Sequence, residues 1–210
     1  MRIQDFRGAV ILAGGGSRRM ERPKAWIEVD GTPLLARIVD VVRDVCPNVV
    51  VVGVKGMTLP ELAADVMRVD DPQAQSGQGP LVGMHAGLQA LDGLGMQLAY
   101  ISSCDQVLLT SEHVRFVVRR LETNMAVDAV VPKTPAGEDS YEPFLSAVRV
   151  APAARVAERL LDAGERRARR LFPNLRCERV APASLPDARV LQPCNTPKDL
   201  DAAVAQLQSA

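Results

Sequence analysis

The chain is 210 residues long, 47% hydrophobic and only 3% aromatic, with 25 Lys+Arg against 25 Asp+Glu. Such a chain is long and apolar enough to bury about 70% of its unfolded surface in one compact domain, which excludes a disordered protein. Its formal net charge of zero supplies no Lys/Arg excess of the kind that neutralises phosphates along a duplex, so no nucleic acid is expected as a partner.

No uncharged apolar run reaches the ~18 residues that a membrane span requires. Arg2, Asp5 and Arg7 stand where a signal peptide would be apolar. A cytoplasmic protein with no membrane partner is therefore expected. Cys46, Cys104, Cys177 and Cys194 form neither a Cys-x-x-Cys pair nor a zinc spacing, and they read as reduced, packed thiols.

From the N-terminus, short β-rich runs alternate with segments of helical period. That is the pattern of an α/β domain with helices over a mostly parallel sheet. The first strand is placed at 8–13, continuously apolar as a strand buried on both faces should be. After a glycine loop, Thr32 is expected to cap a helix with Pro33 at its first position, followed by apolar residues at helical spacing through Val45. Val49 to Val52, Val66 to Val69 and Leu98 to Ile101 are the next strands. Pro80 to Leu91 reads as a helix in which Gly83 and Gly87, one turn apart, allow close approach to the sheet.

Beyond Thr110 a capped helix is expected to Leu121, then a strand over 127–131 and a connection over 132–141. Residues 152–171 are expected to be helical, with Arg166, Arg167, Arg169 and Arg170 on a solvated face; binding of an anionic acceptor is the second reading of that arginine run. Arg176 to Val180 reads as an edge strand. Thr196, Pro197 and Asp199 give the last helix a capped start. Nothing in the composition divides the chain, so residues 1–210 are expected to form one domain.

The sharpest motif is Leu12-Ala13-Gly14-Gly15-Gly16-Ser17-Arg18-Arg19-Met20, followed by Pro23-Lys24-Ala25. It leaves the first buried strand directly, where ligands bind in open α/β sheets. Consecutive glycines let backbone N–H groups converge on an anion, and Ser17, Arg18, Arg19 and Lys24 add a donor and three positive charges. Polyphosphate fits that chemistry. The motif is neither a Walker A loop nor a dinucleotide fingerprint.

The loop resembles the signature of the sugar-nucleotide-transferase-like nucleotidyltransferases. Within them the chain is most similar to the MobA-like group, the molybdenum cofactor guanylyltransferases. Gly79-Pro80-Leu81-Val82-Gly83, Cys104-Asp105, Glu142-Pro143-Phe144-Leu145 and Asn195-Thr196-Pro197-Lys198-Asp199-Leu200 follow in the order of that family. The resemblance implies a three-layer Rossmann-like fold, with helices on both faces of the sheet. It implies transfer of a nucleoside monophosphate, GMP from GTP in the first instance, to a phosphorylated acceptor such as molybdopterin, with release of pyrophosphate. By the same resemblance Leu12, Ala13, Gly14, Gly15, Gly16 and Ser17 lie against base and phosphates, and Arg19 and Lys24 neutralise the triphosphate. Asp105 and Asn195 would hold Mg²⁺. Asp70 or Asp71, with Gly79, Pro80 and Leu81, would line the nucleoside pocket. A molybdoenzyme or another cofactor-biosynthesis protein is the implied protein partner.

Three positions depart from the family pattern. Glu21 follows the Arg19-Met20 pair in place of glycine, Pro193 stands where the family has an asparagine, and Val52-Gly53-Val54 lacks the asparagine found after the second strand. These leave open a cytidylyl donor, a different phosphorylated acceptor, or a nucleotide-binding homologue without turnover. His85 and His113 read as packed or surface histidines, since an acceptor that is already an anion needs no base. Trp26 and Tyr141 read as core or rim aromatics, leaving the acceptor pocket without an evident stacking platform.

Overall fold

The computed structural model describes residues 6–14, 23–71, 79–137, 140–194 and 196–208. Gly15, Gly16, Ser17, Arg19, Glu21 and Asn195, all singled out from the sequence, lie outside the described residues.

Seven strands form one sheet: β1 (Arg7–Leu12), β4 (Asn48–Val54), β5 (Met67–Asp71), β6 (Leu98–Ser103), β7 (Ala129–Pro132), β8 (Leu145–Arg149) and β9 (Cys177–Val180). Their order is β5-β4-β1-β6-β8-β7-β9. The first four are mutually parallel, β8 runs antiparallel to both β6 and β7, and β9 is parallel to β7 at the edge. Because β4 and β5 extend the sheet on one side of β1 and β6 begins the other side, the strand order reverses between β1 and β6. A crevice at the carboxyl ends of two such strands is where α/β sheets bind ligands.

The helices are α1 (Leu34–Arg43), α2 (Pro80–Gly93), α3 (Ser111–Thr123), α4 (Val150–Asp162) and α5 (Pro197–Gln208). One core cluster joins α1, α3 and α5 to one face of the sheet, and a second joins α2 and α4 to the other. The result is the three-layer architecture expected. The central strands are buried on both faces, which is why Val10, Ile11, Val50 and Val51 can all be apolar in succession.

Two helix starts follow the side-chain logic of the sequence. Thr110 Oγ1 accepts from His113 N–H at 3.2 Å at the start of α3. At α5, Thr196 Oγ1 accepts from Asp199 N–H while Asp199 Oδ2 accepts from Thr196 N–H at 2.9 Å, a reciprocal cap. Gly87 does bring α2 against the sheet, since a Cβ there would lie 2.4 Å from Val10 Cγ1.

Most expected elements shift at their ends by a residue or two, and two helix expectations are overturned. Thr32 does not cap α1: Thr32–Pro33 is a short strand, β3, paired antiparallel with β2 (Glu28–Val29). The first amide of α1 is satisfied by a carbonyl instead, Leu34 N–H to Ile27 O at 2.7 Å. The helix expected over 152–171 ends at Asp162, because Gly164 adopts φ 82°, the left-handed conformation that closes helices. The arginine run therefore lies beyond the helix, partly in a 3-10 turn at Ala168–Arg170.

Candidate active site

β1 carries the chain to the crevice between its two parallel neighbours. Ala13 N–H still bonds Val52 O at 2.8 Å, and Leu12 O accepts from Cys104 N–H at 3.1 Å. Leu12 and Ala13 are buried and Gly14 is exposed. The glycine loop thus starts from a backbone anchored on both sides. Where the description resumes, Pro23 leads into a 3-10 turn at Lys24–Trp26. Trp26 is half exposed, and its indole N–H donates to Thr58 O at 3.0 Å, which ties this turn to the segment after β4.

Lys24 and Asp105, two of the residues expected to carry chemistry, meet at the crevice. Lys24 Nζ lies 2.8 Å from Asp105 Oδ2 and donates a second bond to Cys194 O at 3.0 Å. Ser103 Oγ donates to the other oxygen, Asp105 Oδ1. Both members of the ion pair are partly buried. Each oxygen of Asp105 is therefore engaged, one of them by a cation.

A divalent metal is implied by the resemblance, and these groups fit one. The donors beside the ammonium are hard oxygens. The nearby Cys104 thiol is pushed up to about 12 by burial, so it is a poor ligand. Among the described residues no cluster of three His, Cys, Asp or Glu could hold a metal. One carboxylate supplemented by substrate oxygens and water is what magnesium ordinarily takes.

The residues expected to line the nucleoside pocket stand at the start of α2 and beside it. Asp70 is exposed, whereas Asp71 is half-buried with Oδ2 3.4 Å from the position of a Cβ on Gly83, over the first turn of α2. Gly79 has φ 93°, and a Cβ there would stand 2.6 Å from Arg166 O. Leu81 N–H donates to that same carbonyl at 3.0 Å. The Gly79-Pro80-Leu81 turn is thus fastened to the arginine run.

Asp105 also lines a cleft of about 470 Å³, with Pro80, Tyr141, Phe144, Arg167, Arg169 and Pro193 in its walls. Glu142 lines it too; burial pushes its carboxyl above the usual range against the pull of the Phe144 N–H, and the charge on Asp105 adds to the rise. Tyr141 is held edge-on to Phe172, ring centroids 5.6 Å apart, and donates from its hydroxyl to Arg169 O at 2.7 Å. Tyr141 and Phe144, from the segment between β7 and β8, give this cleft aromatic walls that were not evident in the sequence. The arginine run, read as the solvated face of a helix, borders the same cleft from a turn. The advance signs were the second reading of that arginine run as an anion binder and Glu142-Pro143-Phe144, whose place beside Asp105 depends on the antiparallel insertion of β8.

Neither histidine joins the site. His113 is fully buried, with Nε2 3.1 Å from Leu145 O, and burial holds its pKa below the ordinary value. His85 is shifted the same way by burial. Among the described residues no helix is long and apolar enough to cross a membrane.

The family model described as MobA-like NTP transferase domain matches residues 9–180. The chain is 31% identical over 195 residues, 92% of each protein, to a probable molybdenum cofactor guanylyltransferase of Mycobacterium avium (strain 104). It is 34% identical over 160 residues, 75% of each, to one of Mycobacterium tuberculosis (strain ATCC 25618 / H37Rv). Its fold matches that of molybdopterin-guanine dinucleotide biosynthesis protein A from Archaeoglobus fulgidus with a TM-score of 0.70 at 20% identity, over 97% of this chain and all of that one. A glycine loop leaving a buried strand, a lysine–aspartate pair at the point where strand order reverses, and this match over most of the sequence make the chain a member of the MobA-like NTP transferase family.

Proposed function

We propose that the protein transfers GMP from GTP to molybdopterin and releases pyrophosphate. The observation that carries this reading is the meeting of Lys24 and Asp105, with Asp105 also lining the 470 Å³ cleft, in a chain whose relatives are named probable molybdenum cofactor guanylyltransferases.

An oxygen of the acceptor phosphate attacks the α-phosphorus of GTP. The new P–O bond forms as the bond to the β-phosphate oxygen breaks, and the electron pair leaves with pyrophosphate. The attacking oxygen is already anionic, so no side chain has to take a proton. Negative charge grows on the bridging and equatorial oxygens, and preorganised cations lower the barrier most where that charge develops. Lys24 is placed for this, with Arg19 of the same loop as its proposed companion.

Asp105 would hold magnesium, with Asn195 as a second proposed ligand; the ion when bound neutralises triphosphate charge. The main chain at Leu12, Ala13 and Gly14 leads into the loop that would cradle the phosphates, completed by Gly15, Gly16 and Ser17. Gly79, Pro80 and Leu81 would line the nucleoside pocket with Asp71, the aspartate that leans over α2. The acceptor occupies the aromatic-walled cleft beyond Asp105.

Protein incubated with GTP, Mg²⁺ and molybdopterin should release pyrophosphate in step with loss of acceptor. Folded protein that releases none with GTP, CTP, UTP or ATP contradicts the reading.

A further inference from the structure

The acceptor cleft is bordered by two carboxylates, Asp105 and Glu142, and two arginines, Arg167 and Arg169. A phosphorylated acceptor adds more negative charge there, while Lys24 is already committed to Asp105 and Cys194 O. A cation on the acceptor side would offset that charge.

The two arginines are not equivalent. Arg167 donates from Nε to Glu165 Oε1 at 2.9 Å and from Nη2 to Oε2 at 2.7 Å. Arg170 also pairs with Glu165 Oε2, at 3.3 Å. The Arg167 guanidinium, helped by the backbone N–H groups of Arg167 and Arg166, holds the Glu165 carboxyl far below the usual carboxylate range. Arg169, between the two neutralised residues, has no side-chain hydrogen bond or ion pair among the described residues. Its backbone is nonetheless fixed, because its carbonyl accepts from Tyr141 Oη and its neighbours Ala168, Leu171 and Phe172 are buried. An exposed guanidinium with no ion-pair partner among the described residues therefore belongs to a residue of the cleft wall. Its planar fork of donors matches phosphate oxygens two at a time.

We infer that Arg169 binds the anionic group of the acceptor and makes the enzyme select a phosphorylated acceptor, an inference that rests on the reaction proposed above. Glu165 acts as the sorting residue, drawing Arg167 and Arg170 to itself and leaving Arg169 to the cleft.

The test is steady-state kinetics with GTP, Mg²⁺ and molybdopterin. Arg169→Gln should raise the acceptor KM about tenfold, since a hydrogen bond to a charged group contributes at least that much, and should flatten the dependence of that KM on salt. The KM for GTP, and kcat at saturating acceptor, should not move. Arg169→Lys should recover part of the loss. Arg170→Gln, whose charge is committed to Glu165, should change the acceptor KM by less than about twofold. A working wild type whose acceptor KM is unaltered in Arg169→Gln overturns the inference alone. A wild type that makes no pyrophosphate from GTP and molybdopterin overturns the reaction and the inference with it.

Discussion

Lys24 Nζ lies 2.8 Å from Asp105 Oδ2 although 81 positions separate the two residues. The loop after β1 and the turn after β6 deliver opposite charges to one point, and the catalytic account rests on that point. Replacing Lys24 by Ala should cost about 2 to 4 kcal/mol of transition-state stabilisation, roughly 30- to 900-fold in kcat. Asp105→Asn should fall in the same range. Circular dichroism should show both variants folded, and unchanged kcat in either removes that residue from the reaction.

In the same pair the ammonium engages one oxygen of the carboxylate proposed to hold the metal. An ion pair of partly exposed groups contributes only about 1 kcal/mol or less, so a triphosphate can draw Lys24 away and leave Asp105 to the metal. Mn²⁺, followed by spin resonance, should bind the wild type weakly alone and tightly with GTP. Lys24→Met should bind Mn²⁺ more tightly than wild type when no nucleotide is present. Equal affinities without nucleotide would show that the ammonium does not guard the carboxylate.

Helix α2 offers an internal contrast between two glycines. Gly87→Ala would drive a Cβ to 2.4 Å from Val10 Cγ1, an overpacking that should destabilise the fold by about 1 to 3 kcal/mol. Gly93→Ala meets nothing within 4 Å and should stabilise by about 0.5 to 1 kcal/mol through helix propensity. Urea unfolding should show the midpoint moving down for the first and up for the second at constant slope.

His113 makes stability depend on pH with a definite sign. Burial lowers its folded pKa, and the bond to Leu145 O only partly opposes this. The unfolded chain then binds the proton more tightly, so stability is fully present above the ordinary value of 6.5 and declines as pH falls below it. His85 shifts in the same direction. Denaturant titrations at pH 7.5 and 5.5 should show wild type losing more than His113→Gln, which keeps a donor for Leu145 O; equal losses would exclude His113 as a source.

Much of the fold is legible in local sequence. Runs such as Val49 to Val52 read as strands buried on both faces, and Thr110 and Thr196 cap the helices they precede, with Asp199 answering Thr196 from the first turn of α5. Where local rules mislead, a tertiary bond prevails. Thr32 pairs with Val29 instead of capping, because Leu34 N–H finds Ile27 O. The end of α4 had a local signal in Gly164, but the arginines beyond it mimic a solvated helix face. Lys24 and Asp105 could be named from chemistry and resemblance. The cleft beside Asp105 is only partly legible: the arginine run carries anion binding as its second reading, but Tyr141, Arg169 and Pro193 come from three separate connections that only the sheet order brings together.

The most direct measurement follows the phosphorus atoms. With Mg²⁺, molybdopterin and GTP labelled at the α-phosphate, the label should appear covalently in the acceptor product, while label at the β or γ position should leave as pyrophosphate. Label at the α-phosphate recovered as free GMP, or label at the γ position transferred to the acceptor, would contradict nucleotidyl transfer at this site.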